Sequence, residues 1–152
     1  MPVRHGEREV IEHVMADIVP THRLTHEASL KMLSAGVAKA DELGCKVSLA
    51  VADQSCRIIA FLMMDGARHF SIITTKRKAV TSASQGQPTG YAPEEAALSM
   101  AVRMGDFTNV PGGFPIIVDG EVIGAVAAGG AKIEQDVAVA KAALAAIGGA
   151  RG

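Results

Sequence analysis

The run Phe114-Pro115-Ile116-Ile117-Val118-Asp119-Gly120-Glu121-Val122-Ile123-Gly124-Ala125-Val126 sets two apolar segments on either side of Asp-Gly. Asp-Gly between such segments is a strong signature of a two-residue hairpin turn. An antiparallel pair is therefore expected here. Gly129-Gly130 ends its second strand. Ile133 to Ile147 follows as an Ala-rich helix, with Val137, Ala140, Leu144 and Ile147 on one stripe. Upstream, Val47, Leu49 and Val51 give Lys46 to Asp53 a strand pattern. Gln54-Ser55-Cys56 turns the chain into a second strand, Arg57 to Met64, so a second hairpin is expected. Asp65-Gly66 breaks it.

The segments around the hairpins read as helices. Thr25 is placed to cap a helix that ends at Gly44. Phe70 to Ser84 reads as helical, although the β-branched cluster Ile72, Ile73, Thr74, Thr75 works against it. Pro93, Glu94 and Glu95 open another helix, to about Met104. The order helix, helix, hairpin, helix, helix, hairpin, helix predicts an α+β fold, a mainly antiparallel sheet with helices packed on it. Residues 1–22 read as an N-terminal arm or short helix, ended by Pro20. Residues 23–148 read as a single domain, and 149–152 as a frayed tail.

The 152 residues suit one domain, and 49% apolar with 20% charged residues suits a globular core. Fifteen basic against 16 acidic residues leave no basic surplus for nucleic acid. No apolar run approaches a membrane span. The charged start, with Arg4, Glu7, Arg8 and Glu9, does not read as a signal peptide. Cys45 and Cys56 make no disulfide framework and read as reduced thiols of a cytoplasmic protein. Aromatics are only 3%, so Ala, Gly, Val and Ile must carry the core.

Nucleotide-binding, zinc-protease and nucleophile-elbow motifs are all missing. No metal site is expected, since none of His5, His13, His22, His26 and His69 has zinc-like spacing, and Glu9 with Glu12 reads as a solvated pair. The Gly124 to Gly130 stretch ends a strand ahead of a helix. Its N–H groups, Gly129 and Gly130 in particular, suit either a closely packing turn or the holding of a carboxylate or phosphate. Lys76, Arg77 and Lys78 follow one another on a helix and cannot share a face. One of them is expected to face a pocket or interface and the other two to be solvated. Asp53 and Asp65 end the two strands of the first hairpin. Each suits either a turn cap or an anion-and-proton site with a lysine. His69, just ahead of a helix, suits the lining of a pocket.

Taken together, Val47 to Asp53, Ala60 to Ala67, Lys78-Ala79 with Ser82-Ala83, Gln87-Pro88-Thr89, Gly112 to Pro115, Ile123 to Val126 and Glu134-Gln135-Asp136 make an ordered set. That set, over about residues 24–147, resembles the family that includes GlcG, the haem-binding sensor HbpS and the C-terminal domain of PduO. The resemblance implies a profilin-like fold with an antiparallel sheet of about five strands. It also implies a homo-oligomer, often an octamer, and haem as the cofactor of some members. The sequence departs from the family pattern at Met63, where an arginine is usual, and at Ala127-Ala128-Gly129-Gly130, where a serine is lost. The stretch from Thr89 to Gly112 is also shorter than in many members.

Three functions follow. The first is a small-molecule-binding oligomer of the haem type, with His69, Thr89 or Met64 as ligands and Lys78 as propionate partner. The second is a small catabolic enzyme, an isomerase, hydratase, lyase or deaminase, on an unsaturated or hydroxy carboxylic acid. Lys78 would hold the carboxylate, Asp53, Asp65 or His69 would move a proton, and Gly129-Gly130 would steady an enolate-like oxygen. The third is a non-catalytic structural or regulatory oligomer.

Overall fold

The computed structural model describes Pro2 and residues 4–148. Its elements run α1 (His5–Met15), α2 (His26–Leu43), β1 (Ser48–Asp53), β2 (Ile58–Met63), α3 (Ser71–Gln85), α4 (Glu94–Met104), β3 (Gly113–Val118), β4 (Glu121–Gly129) and α5 (Ile133–Ala145). The expected tail, residues 149–152, lies outside the described residues, as do the side chains of Glu9 and His13.

The two hairpins meet through β1 and β4, in the order β2-β1-β4-β3, antiparallel throughout. The α+β class and the antiparallel sheet are as expected. The strand count is four among the described residues rather than about five. Between β2 and β3 the chain is spent on α3, α4 and loops, which leaves no segment for a further strand. Asp119 (φ 51°) and Gly120 (φ 78°) both take the positive φ that a two-residue turn between twisted strands demands.

Alternation along the central strands sorts the layers. Leu49 and Val51 of β1 and Val126 and Ala128 of β4 face one side. There they meet Met32, Leu33 and Ala40 of α2 and Val139, Ala140, Ala143 and Leu144 of α5. Ala50, Ala52, Ala125 and Ala127 face the other side, where Ala79 and Ala83 of α3 pack against them. The all-alanine contact brings α3 close to the sheet, and it accounts for a core built almost without aromatic rings.

The caps are as the sequence predicts. Thr25 Oγ1 accepts the Ala28 N–H at 3.1 Å. Gly44 (φ 67°, ψ 27°) donates back to Ala40 and Asp41. Ahead of α2 the chain folds against the second hairpin. There Thr21 Oγ1 donates to Glu121, and His22 Nδ1 lies 3.0 Å from the same carboxylate. These contacts, the Thr21 hydroxyl first and His22 second, hold the half-buried Glu121 carboxyl below the usual carboxylate range. By contrast, α4 buries none of its residues. No described helix is long and apolar enough to cross a membrane.

Gly124 of β4 is paired with Asp53, and a Cβ there would collide with the carbonyl oxygen of Ala52. Gly124→Ala is expected to cost about 1–3 kcal/mol, since strand backbone rather than a flexible side chain must give way. Urea denaturation of the variant against the wild type measures it.

Candidate functional site

The helix α3 organises the site. Its β-branched start does not prevent it from forming, because packing on the sheet outweighs local propensity. Ser71, Thr75, Lys78, Ala79 and Ser82 point inward at helical spacing. Gly86 ends the helix in the left-handed conformation (φ 64°, ψ 24°) and donates to Ser82.

Lys78 is 1% exposed. Its Nζ donates to Asp136 Oδ2 and to the Ala128 carbonyl, at 2.9 Å each. Asp136 comes from the first turn of α5, where the helix dipole favours a carboxylate. Its Oδ1 accepts the Ala131 N–H at 3.0 Å. Burial pushes the Asp136 carboxyl above the ordinary Asp range, and Lys78 with the Ala131 and Gly130 N–H groups pulls it back down.

Backbone closes tightly over this pair. A Cβ on Gly112 (φ 128°) would sit 2.9 Å from Lys78 Nζ and 2.7 Å from the Ala128 oxygen, and one on Gly113 would sit 2.6 Å from the Lys78 carbonyl oxygen. Only glycine lets the start of β3 pass there. Thr89 clamps it: Thr89 Oγ1 accepts the Gly113 N–H, and Thr89 N–H donates to Gly113, at 2.9 Å each. Gly129 lies against Thr75 Oγ1, a buried hydroxyl with no hydrogen-bond partner among the described residues.

The structure therefore brings Lys78, Thr89 and Gly129 around one buried centre. Asp136, which sequence reading left without a role, completes it. The other candidates lie elsewhere. Asp53 caps the first hairpin, accepting from Ser55 N–H at 2.9 Å and Arg57 N–H at 3.0 Å, with the Arg57 guanidinium 3.2 Å from Oδ2. It sits opposite Gly124, at the far end of β1 from Gly129. Asp65 is exposed after β2, and His69 is exposed ahead of α3. Met64 is core. Gly130 (φ 107°) lies against Ser71.

On its outer side α3 forms a groove of about 530 Å³ with the first hairpin. The volume is in the range of small-molecule sites. Ile58, Ile72, Ile73 and Val80 give it apolar walls, and Lys76, Arg77, Cys56 and Asp106 give it polar groups. Lys76 Nζ lies 5.0 Å from the centre of the Phe61 ring. Among the described residues neither Lys76 nor Arg77 is in an ion pair. Of the basic run, then, Lys78 points into the core while its two neighbours line the groove. The thiols differ in the same way. Cys45 is buried, and burial pushes its thiol pKa up, with Asp136 adding to the rise, whereas Cys56 is half-buried on the groove.

A family model described as "Haem degrading protein HbpS-like" matches residues 24–145. Protein GlcG of Escherichia coli (strain K12) is 34% identical over 107 residues, 68% of this chain and 78% of GlcG. The crystal structure of HbpS superposes with a TM-score of 0.76 at 28% identity, over 97% of this chain and 99% of that one. A PduOC:haem complex superposes with a TM-score of 0.77, over 84% of this chain and 96% of that one, at 22% identity, a likeness of fold alone.

Removing one partner of a buried ion pair strands the other, so Lys78→Met is expected to cost about 3–5 kcal/mol at neutral pH. Folded Asp136 already holds its proton more tightly than the unfolded chain, whose value is 3.8. Its contribution to stability therefore falls as pH rises from there through the raised value. Without Lys78 that value climbs further, so the cost of Lys78→Met grows with pH. The double variant Lys78→Met/Asp136→Leu removes both charges and should recover most of the loss. Denaturation curves at several pH values measure both effects.

Proposed function

The chain belongs to the HbpS-like family, and from that premise we propose that it binds a haem-type small molecule in the groove between β2 and α3. One observation carries this reading. Lys76 and Arg77 stand on a groove with isoleucine walls and have no carboxylate partner among the described residues. A tetrapyrrole is a wide apolar disc with two carboxylates on one edge. The apolar walls suit the disc, and the two cations suit the carboxylates. Asp106, at the Val80 end, leaves the groove with a net positive charge.

One donor also fits a metal-bearing macrocycle. Cys56 lines the groove, whereas His69 lies outside its lining. Haem would supply a redox-active iron there. The chain would supply a slot that excludes water from one face and charges that fix the edge. The family description as haem-degrading, and the haem seen with PduOC on the same fold, support the choice of ligand. In this reading Lys78, Thr89 and Gly129 form the frame behind the groove. Their polar atoms face Asp136, Ala128 and Gly113 rather than a ligand.

The same reading makes the protein a cytoplasmic homo-oligomer, an octamer by resemblance. The uncovered α4 supports a subunit contact, because Leu98 and Val102, one turn apart, are 72% and 78% exposed. Light scattering should give a mass above that of one chain, and Leu98→Glu/Val102→Glu should lower it.

Titration with ferric haem should give a saturable, stoichiometric shift of the Soret band. Lys76→Ala and Arg77→Ala should each raise the Kd roughly 3- to 10-fold, as expected for about 1 kcal/mol per partly screened charge. Lys31→Ala, on α2 across the sheet, should leave it unchanged. A non-saturable response would sink the proposal.

A further inference from the structure

On α4, Glu95, Leu98, Ser99, Val102 and Arg103 recur at i, i+3, i+4, i+7 and i+8. That spacing gathers them on one helix face, the pattern that ordinarily marks the side turned to a core. Here all five are exposed, Leu98 to 72% and Val102 to 78%. Ala97, Met100 and Ala101, off that stripe, are half-buried. The two ends of the stripe carry opposite charge. Neither Glu95 nor Arg103 is in an ion pair among the described residues. Eight residues of helix set them about 12 Å apart along its axis, more than two turns from each other.

We propose that α4 pairs with the α4 of a second copy of this chain, antiparallel and about a two-fold axis. The inference rests on the homo-oligomer reading above and adds the orientation and register of the contact. Reversing the second helix brings Glu95 to Arg103 of the second copy, and the two-fold axis repeats that pair at the other end. Between the two pairs, Leu98 of each copy meets Val102 of the other and leaves water. Ser99, the small residue at the middle of the stripe, lies beside the axis and lets the helices approach. A parallel copy would instead set Glu95 against Glu95 and Arg103 against Arg103, and like charges repel. An apolar patch by itself would suit many partners. Opposite charges at its two ends, evenly spaced about a small central residue, make the stripe complementary to its own reverse. The exposed pairs set orientation, and the apolar residues supply the buried area.

The test uses charge reversal on the full chain, read by light scattering over a dilution series. Glu95→Arg and Arg103→Glu each put like charges at both ends of the contact. Each should weaken assembly roughly tenfold. The double variant Glu95→Arg/Arg103→Glu exchanges the ends, restores both pairs and should return the wild-type mass. These side chains are exposed, so the fold is expected to tolerate all three changes. A second measurement fixes the axis. Ser99→Cys, in a Cys56→Ser background, should cross-link to itself on mild oxidation and give a covalent dimer. The inference is overturned if the single reversals leave the mass unchanged, if the double variant stays as weak as the singles, or if Ser99→Cys gives no covalent dimer. Each of those results would leave an oligomer built through another surface. A wild type that is monomeric at every concentration would overturn the homo-oligomer reading as well.

Discussion

The arrangement depends on a lysine ammonium buried to 1% exposure and the two oxygens that receive it. An ammonium taken from water costs several kcal/mol unless it is paired and hydrogen-bonded. Asp136 and the Ala128 carbonyl meet that demand from two different elements. A single side chain thereby fixes α3 against the end of β4 and the start of α5. Around it, Gly112, Gly113 and Gly129 leave out the Cβ atoms that would otherwise hold the chains apart. The three glycines serve the packing at this point. They are what lets the backbone close on the pair.

Fixing Lys78 inward also fixes what faces outward. Successive helical residues point about 100° apart, so an inward Lys78 turns Lys76 and Arg77 toward the hairpin side. The alanine contact beneath α3 has a related effect. Small residues at Ala50, Ala52, Ala79, Ala83, Ala125 and Ala127 keep the helix near the sheet. Ile72 and Ile73 then stand over the edge near β2 and form a groove wall. The frame and the groove are two sides of one helix.

The fold was largely legible. Asp119-Gly120, Thr25, Gly44 and the alternation in both hairpins are local signals, and each acts over a few residues. Alternation even indicates the two faces, since Leu49 and Val51 alternate with Ala50 and Ala52 on the same strand. The helical start of α3 was the least certain segment for a physical reason. Ile72 to Thr75 prefer extended backbone locally, and burial on the sheet overrides that preference. Four strands stand among the described residues where the family resemblance implied about five, a count that no segment with strand periodicity had supported.

The site was less legible, because its contacts are not local. Lys78, Thr89 and Gly129 were singled out, yet as ligand-facing groups. Their true neighbours arrive from far along the chain, with Asp136 standing 58 residues from Lys78. A lysine beside a glycine-rich turn looks the same in sequence whether it meets a ligand or a carboxylate of its own fold. Cys56 was legible only as part of the turn between β1 and β2. Its backbone conformation follows from that turn, and its place on the groove exists only once α3 packs beside the hairpin. The sequence by itself determined the elements, their caps and turns, and the two faces of the sheet, because those follow from periodicity and short-range backbone sterics. Tertiary structure alone decided which of three adjacent cations is buried, which acid neutralises it and where a groove opens, because each depends on the desolvation and pairing of groups that meet only across the folded layers.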